Sequence, residues 1–229
     1  MLGLSEALIK INERIESSLK SRKSGRDRVR VVAVSKTFGI DAIRMAYDLG
    51  LRDFGENRVQ ELLDKMAILP ADIQWHMIGR LQTNKVKEVI GKIELIHSLD
   101  RLELFEKMDG ELRKKKGLKQ ECLLQVNISG EASKSGFSPD KVEYFLNRIP
   151  LDSPVKIIGL MTMAPLTPDV DTIRNIFRAA KSMFEDLKRT HEQFDWKYLS
   201  MGMSGDYEIA VEEGSNMVRI GTALFGQRA

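Results

Sequence analysis

Val31-Val-Ala-Val-Ser-Lys36 sets the reading of the whole chain. Four apolar residues, three of them β-branched, sit between charged flanks and have the composition of a buried strand. Seven more short runs follow: Asp53-Phe-Gly55, Trp75-His-Met-Ile78, Leu95-Ile-His-Ser98, Leu123-Leu-Gln-Val-Asn-Ile128, Val155-Lys-Ile-Ile-Gly-Leu-Met161, Tyr198-Leu-Ser-Met201 and Met217-Val-Arg-Ile220. Their starts lie roughly 20 to 40 residues apart, the length of a strand-plus-helix unit. Asp53-Phe-Gly55 is read as a strand mainly from its place in the series.

The stretches between the runs carry helical periodicity. Residues 41–49 place Ile43, Ala46 and Tyr47 on one face, with Gly50 where a C-cap belongs. Residues 57–69 do so with Val59, Leu62, Leu63 and Met66 before Pro70 stops them. Residues 171–189 align Ile173, Ile176, Phe177, Ala180, Phe184 and Leu187. Ahead of the first strand, Leu4, Ala7, Leu8, Ile11, Ile15 and Leu19 form another apolar stripe. Eight strand-then-helix units predict an α/β chain, a single-domain (β/α)₈ TIM-like barrel spanning 1–229, with a doubly wound open sheet as the alternative. Nine residues follow Ile220, too few for a full outer helix. The N-terminal helix is therefore expected to cover the last unit, giving a modified barrel.

Composition narrows the function classes. With 42% hydrophobic and 30% charged residues, 17 Gly and 6 Pro, the chain is neither disordered nor collagen-like. A net charge of +3 makes no case for nucleic acid or an anionic membrane. The single cysteine, Cys122, excludes an internal disulfide, and with three histidines no metal site is expected. A reduced, cytoplasmic compartment fits. The N-terminus does not read as a secretory signal. The longest nearly uncharged run, 157–168, contains Gly159 and two prolines and is too short to span a bilayer.

In a barrel of this kind the chemistry sits just beyond the C-terminal strand ends. Lys36 occupies that position after the first strand. Two readings stand: an amine made nucleophilic by desolvation, or a solvated lysine ending a strand. Ser200-Met-Gly-Met-Ser-Gly-Asp206 and Arg219-Ile-Gly-Thr-Ala-Leu-Phe-Gly226 are glycine-rich turns at strands seven and eight, where such barrels often bind phosphate. Gly202, Gly205 and Gly221 would admit an anion close to the backbone, and Ser204 and Thr222 would add hydroxyls. Ordinary turn chemistry is the alternative. Arg219 alternates with Val218 and Ile220, so it points the other way, into the barrel. There it needs a partner, either a ligand or a barrel carboxylate. His76 and His97 read as core or hydrogen-bonding residues. The basic run 113–119 reads as a solvated helix end, and Met161, Met163, Met201 and Met203 as gap-fillers or as packing for a flat ligand.

Taken together these motifs resemble the pyridoxal 5′-phosphate homeostasis proteins, relatives of the N-terminal barrel of alanine racemase. The matching stretches are Val32-Ala-Val-Ser-Lys-Thr37, Asp53-Phe-Gly-Glu-Asn-Arg-Val-Gln60, Trp75-His-Met-Ile-Gly-Arg-Leu-Gln-Thr-Asn-Lys85, Val126-Asn-Ile128 with Ser133-Lys-Ser-Gly136, Gly159-Leu-Met-Thr-Met-Ala-Pro165, Leu199-Ser-Met-Gly-Met-Ser204 and Val218-Arg-Ile-Gly-Thr-Ala-Leu-Phe-Gly226. The resemblance implies a fold-type-III barrel with pyridoxal phosphate as cofactor and Lys36 as the lysine forming a Schiff base with it. It implies phosphate contacts at Ser204, Gly221, Thr222 and Ser200, with Arg219 facing the pyridine nitrogen. It places Asn57 near the O3′ side and Met201 against the ring, and leaves His76 without a role.

An arginine stays protonated, so a ring nitrogen facing it stays unprotonated and is a weaker electron sink. Racemisation also needs a second base, which in the racemases is a tyrosine of a separate domain. Of Tyr47, Tyr144, Tyr198 and Tyr207, only Tyr207 is expected near the mouth. The expected function is therefore a carrier that buffers or delivers pyridoxal phosphate, with no catalytic residue assigned. Pyridoxal-phosphate-dependent apo-enzymes are its candidate partners, and a monomer is expected. The alternatives are an amino-acid racemase of low activity and, more remotely, a Schiff-base aldolase acting on a sugar phosphate.

Overall fold

The computed structural model describes residues 3–22, 28–131 and 134–227. Eight strands form in the expected order: β1 (Arg30–Val34), β2 (Asp53–Glu56), β3 (Gln74–Met77), β4 (Leu95–Leu99), β5 (Gln120–Gln125), β6 (Val155–Met161), β7 (Tyr198–Met203) and β8 (Met217–Ile220). Each pairs in parallel with its sequence neighbours, and β8 closes onto β1 from Arg30↔Met217 to Ala33↔Ile220. Closure excludes the open-sheet alternative and leaves no unpaired edge.

The helices are α1 (Leu4–Ser21), α2 (Ile40–Asp48), α3 (Val59–Met66), α4 (Val86–Val89, entered through a 3₁₀ turn), α5 (Leu102–Arg113), α6 (Pro139–Leu146), α7 (Val170–Thr190), α8 (Tyr207–Glu212) and α9 (Thr222–Phe225). Strand alternation divides the core in two. Ala33, Phe54, Ile96, Leu124, Leu160, Leu199 and Ile220 pack with the helices, while Val32, Leu95, Leu123, Ile158, Met161 and Met217 form a second cluster.

Two departures from the sequence reading have local causes. β5 begins at Gln120 and ends at Gln125; Val126 N–H still donates to Met161 O at 2.9 Å, and the chain turns away from Asn127 onward. Asn127 turns the chain there: its amide donates to Glu131 O at 2.8 Å, and its oxygen accepts from Ser129 Oγ and the Gly130 N–H, each at 3.1 Å. β7 runs two residues past Met201, and its register with β8 shifts between Ser200 and Met203. Gly159 in β6 is fixed by a close approach, since a Cβ there would lie 1.9 Å from the Tyr198 carbonyl oxygen.

The eighth unit ends in the four-residue α9, too short to shield the barrel wall. α1 covers the gap, burying Ala7, Ile11 and Ile15 against α8 and α9. Full burial of an isoleucine contributes about 1.5–3 kcal/mol. The exposed Arg14–Glu208 pair adds little to that apolar docking. Deleting residues 1–20 is expected to uncover α8 and α9 and to give aggregated protein on size-exclusion chromatography. A soluble truncation with unchanged circular dichroism would show that α1 is dispensable.

Candidate functional site

At the C-terminal strand ends a cavity of about 480 Å³ opens into the barrel. Lys36, Asn57, Ser204, Arg219, Gly221 and Thr222, placed far apart in sequence, all line it. Ile78, Gly79, Arg80, Gln125, Met161, Met163 and Met203 complete much of the wall. Its charged lining residues are Lys36, Arg80, Lys134 and Arg219, and the lining contains no carboxylate. Arg80 and Lys134 pair with Asp100 and Glu131 behind the wall. The described lining is therefore cationic.

Lys36 is half-buried and sits on a constrained turn. Ser35 N–H donates to Gly55 O at 3.1 Å and Phe38 N–H to Ser35 O at 3.0 Å. Between them Thr37 has φ +68°, the one positive value for a non-glycine among the described residues. A β-branched residue held there stores on the order of 1–3 kcal/mol of strain. A buried Glu56–Lys65–Glu61 cluster holds it. Glu61 Oε1 accepts the Thr37 N–H at 2.6 Å. Lys65 Nζ donates to Ser35 O at 2.9 Å and to Glu56 and Glu61 at 2.7 Å each. Ser35 Oγ donates to Glu56 Oε1 at 2.6 Å. Burial raises the Glu56 pKa despite Lys65 and Ser35, and its Oε2 is buried with no hydrogen-bond partner. For Glu61, burial pushes upward but the bonds from Lys65 and Thr37 bring the pKa below its ordinary value. The cluster was not legible in sequence: Lys65 reads as an exposed helix residue, yet it is 5% exposed. Its only signal is the i,i+4 pair with Glu61.

Arg219 points into the barrel, as alternation predicts. Its Nη1 donates to Ser200 Oγ at 2.6 Å and to Ser200 O at 3.1 Å, and its Nη2 to Thr162 O at 3.0 Å. These acceptors are neutral, so the barrel-carboxylate option left open by the sequence is not the one adopted. Burial lowers its pKa to about 10, opposed by the field of Asp206, so it remains a cation at neutral pH. Across the mouth, the backbone N–H groups of Gly221 and Ala223 converge on Ser204 Oγ, each at 3.1 Å. Phe38 stacks on Phe225 with ring centroids 4.8 Å apart, tying the Lys36 turn to α9.

Some expectations need correction. Ser200 is fully buried beneath Arg219 and off the cavity wall, so it supports the arginine rather than facing an anion. Met201 is also off the wall, packed in the core with the helices, while Met161, Met163 and Met203 line the cavity. Gly202, at φ +93°, is required by packing: a Cβ there would lie 2.6 Å from Ala210 Cβ and 2.9 Å from Tyr207 Cα. Tyr207 does not approach the mouth; it is buried beside Arg14 of α1. None of the four tyrosines lines the cavity. Ser133, in the Ser133-Lys-Ser-Gly136 motif, lies outside the described residues. His76 and His97 are fully buried, as the core reading expects.

Among the described residues no group of three or more His, Cys, Asp or Glu could hold a metal ion. Among the described residues no helix is long and apolar enough to cross a membrane.

Comparison with known proteins agrees with this fold. Residues 13–229 match the family described as alanine racemase, N-terminal domain. The pyridoxal phosphate homeostasis protein of Aquifex aeolicus is 41% identical over 229 residues, 99% of each chain. The human protein of that name is 35% identical, covering 99% of this chain and 87% of its own. PipY of Synechococcus elongatus, solved with PLP bound, superposes with a TM-score of 0.85 at 34% identity, covering 98% of this chain and 100% of its own. Alanine racemase of Streptomyces coelicolor shares the fold, with a TM-score of 0.68 at 16% identity over 57% of its length.

Removing the Lys65 amine leaves Glu56 buried without its counter-charge. Lys65→Met is expected to cost about 3–5 kcal/mol in urea unfolding. Adding Glu56→Gln should recover part of that loss. A loss below 1 kcal/mol would show that the cluster does not hold the Lys36 turn.

Proposed function

The chain belongs to the pyridoxal phosphate homeostasis family, and from that premise we propose that it binds pyridoxal 5′-phosphate and buffers or delivers it without robust turnover. Lys36 holds the cofactor as a Schiff base. The observation that carries this reading is the convergence of Lys36, Arg219 and the Ser204–Gly221–Thr222 rim on one cationic cavity. The residues present fit the group. A phosphate ester suits a wall of lysine and arginine with the Ser204 and Thr222 hydroxyls at the rim. Lys36, on a turn held on both sides, presents its amine without the loop having to order on binding. Asn57 follows β2, next to the Lys36 strand and against Gly79, and lines the same cavity, placed to meet the ring's polar substituents.

When bound, pyridoxal phosphate supplies an electron sink for carbon-acid chemistry. Two features of this chain limit that use. Arg219 offers donors only, so the ring nitrogen it faces is held unprotonated. The described lining contains no histidine, tyrosine, cysteine or carboxylate to act as a second base, and Lys134 is engaged with Glu131. A cytoplasmic monomer handing cofactor to apo-enzymes fits both features. A racemase of low activity is the second reading, for which Lys134 is the one candidate base.

Purified protein mixed with pyridoxal phosphate is expected to show a visible Schiff-base absorption band. Lys36→Ala should lose it, and borohydride should bleach it in the parent protein. A band of equal strength in the variant would remove Lys36 from its role. Steady racemisation of several amino acids would replace the carrier reading with the enzymatic one.

A further inference from the structure

The interior of the barrel contains a line of polar side chains that cofactor binding, as described so far, does not use. Five residues from five strands take part: Asp53 on β2, His76 on β3, His97 on β4, Ser200 on β7 and Arg219 on β8. His76 Nε2 lies 2.9 Å from Asp53 Oδ1, and His76 Nδ1 lies 2.9 Å from His97 Nε2. His97 Nδ1 lies 3.4 Å from Ser200 Oγ, which accepts from Arg219 Nη1 at 2.6 Å. At the far end Arg30 Nε donates to Asp53 Oδ1 at 2.8 Å. The line thus runs from the N-terminal end of the barrel to the wall of the cofactor cavity.

Hydrogen-bond chemistry gives this line one direction. Burial pushes the Asp53 pKa up, but the bonds from His76 and Arg30 bring it below its ordinary value, so Asp53 is an acceptor only. His76 must then carry its proton on Nε2. Burial lowers the pKa of both imidazoles, and His97 further feels the charges of Arg219 and Arg30, so both rings are neutral. The Nδ1 of His76 is therefore an acceptor, and His97 donates to it from Nε2. That leaves the Nδ1 of His97 as an acceptor for the Ser200 hydroxyl. With its hydrogen committed there, Ser200 Oγ presents lone pairs to Arg219. Every donor points from Arg219 toward Asp53, and a proton on His97 Nδ1 would reverse that order at Ser200, whose hydroxyl hydrogen would lose its acceptor.

We propose that His97, backed by His76 and Asp53, is a positioning residue for Arg219: it fixes the Ser200 hydroxyl as an acceptor and so aims the guanidinium into the cavity. The consequence for the cofactor rests on the reading that Arg219 faces the pyridine nitrogen. Ser200 Oγ is the one side-chain acceptor recorded for Arg219; the other two are backbone carbonyls. With His97 Nδ1 taking the hydroxyl hydrogen, the lone pair offered to Arg219 has one fixed direction; without it that direction is no longer set. A feature with no assigned role in the sequence, the histidine of Trp75-His-Met-Ile78, gains one here: it keeps His97 in the required tautomer.

Two measurements test the proposal. The first uses ligand-free protein labelled with ¹⁵N at histidine and reads ring tautomers by long-range ¹H–¹⁵N correlation. His76 and His97 should both be neutral and protonated at Nε2, and Arg219→Lys should shift the His97 Nδ1 resonance more than that of His76. A His97 that is cationic, or protonated at Nδ1, overturns the proposal whether or not any variant folds. The second measures pyridoxal phosphate affinity and the position of the bound absorption band. His97→Phe and Ser200→Ala should each weaken binding on the order of tenfold. The double variant should be no weaker than either alone, because both break one line. Ser200→Thr, which keeps a hydroxyl, should restore affinity. Multiplying losses, or variants that lower thermal stability while affinity and band stay unchanged, overturn the positioning role. If Arg219→Lys leaves affinity and band unchanged while the tautomers are as stated, the cofactor reading of Arg219 has failed and the hydrogen-bonded line has not.

Discussion

A guanidinium buried in the barrel without a carboxylate partner is the constraint on which the site depends. Arg219 is 4% exposed, and its direct acceptors are two backbone carbonyls and one hydroxyl. Burying a cation against neutral groups is unfavourable, and the depressed pKa of Arg219 expresses that cost. Such a charge is best compensated by a ligand that brings an acceptor and negative charge to the open side. The same feature sets a chemical limit. A carboxylate in that place would protonate a pyridine nitrogen and strengthen the electron sink, whereas an arginine leaves it unprotonated. On the proposed reading, a site organised in this way would hold pyridoxal phosphate more readily than it uses it.

The closed barrel makes that arrangement possible. Parallel strands covered by helices provide a rigid frame in which β1, β7 and β8, distant in sequence, meet at one mouth. On one side the Glu56–Lys65–Glu61 cluster holds the strained Thr37 and with it Lys36. On the other, Ser204 ties the β7 turn to the backbone after β8. Phe38 and Phe225 join the two sides. α1, drawn from the far end of the chain, shields the eighth unit, whose own helix is four residues long.

Much of this was legible in the sequence, for identifiable physical reasons. Strands buried on both faces read as apolar runs, so most of the eight appear as such, Asp53-Phe-Gly55 is recovered from the spacing of the others, and Arg219 stands out because it interrupts one. Lys36, Asn57, Ser204, Gly221 and Thr222 could be placed because strand ends in a barrel share a mouth. Ser200 and Met201 were placed by resemblance alone; in the fold Ser200 lies under Arg219 and Met201 packs in the core with the helices. The end of β5 was missed because Asn127 forms its turn through contacts with residues beyond it. The support of Lys36 was invisible because nothing in a helical Glu61–Lys65 spacing announces burial, and the His76–His97 contact crosses between strands.

The protonation state of the ring nitrogen tests the account most directly. Pyridoxal phosphate labelled with ¹⁵N in the ring, bound to the protein at neutral pH, reports it by nitrogen chemical shift. The account predicts an unprotonated, hydrogen-bonded nitrogen whose shift moves when Arg219 is replaced by lysine. A pyridinium signal, or a nitrogen indifferent to Arg219, would contradict it.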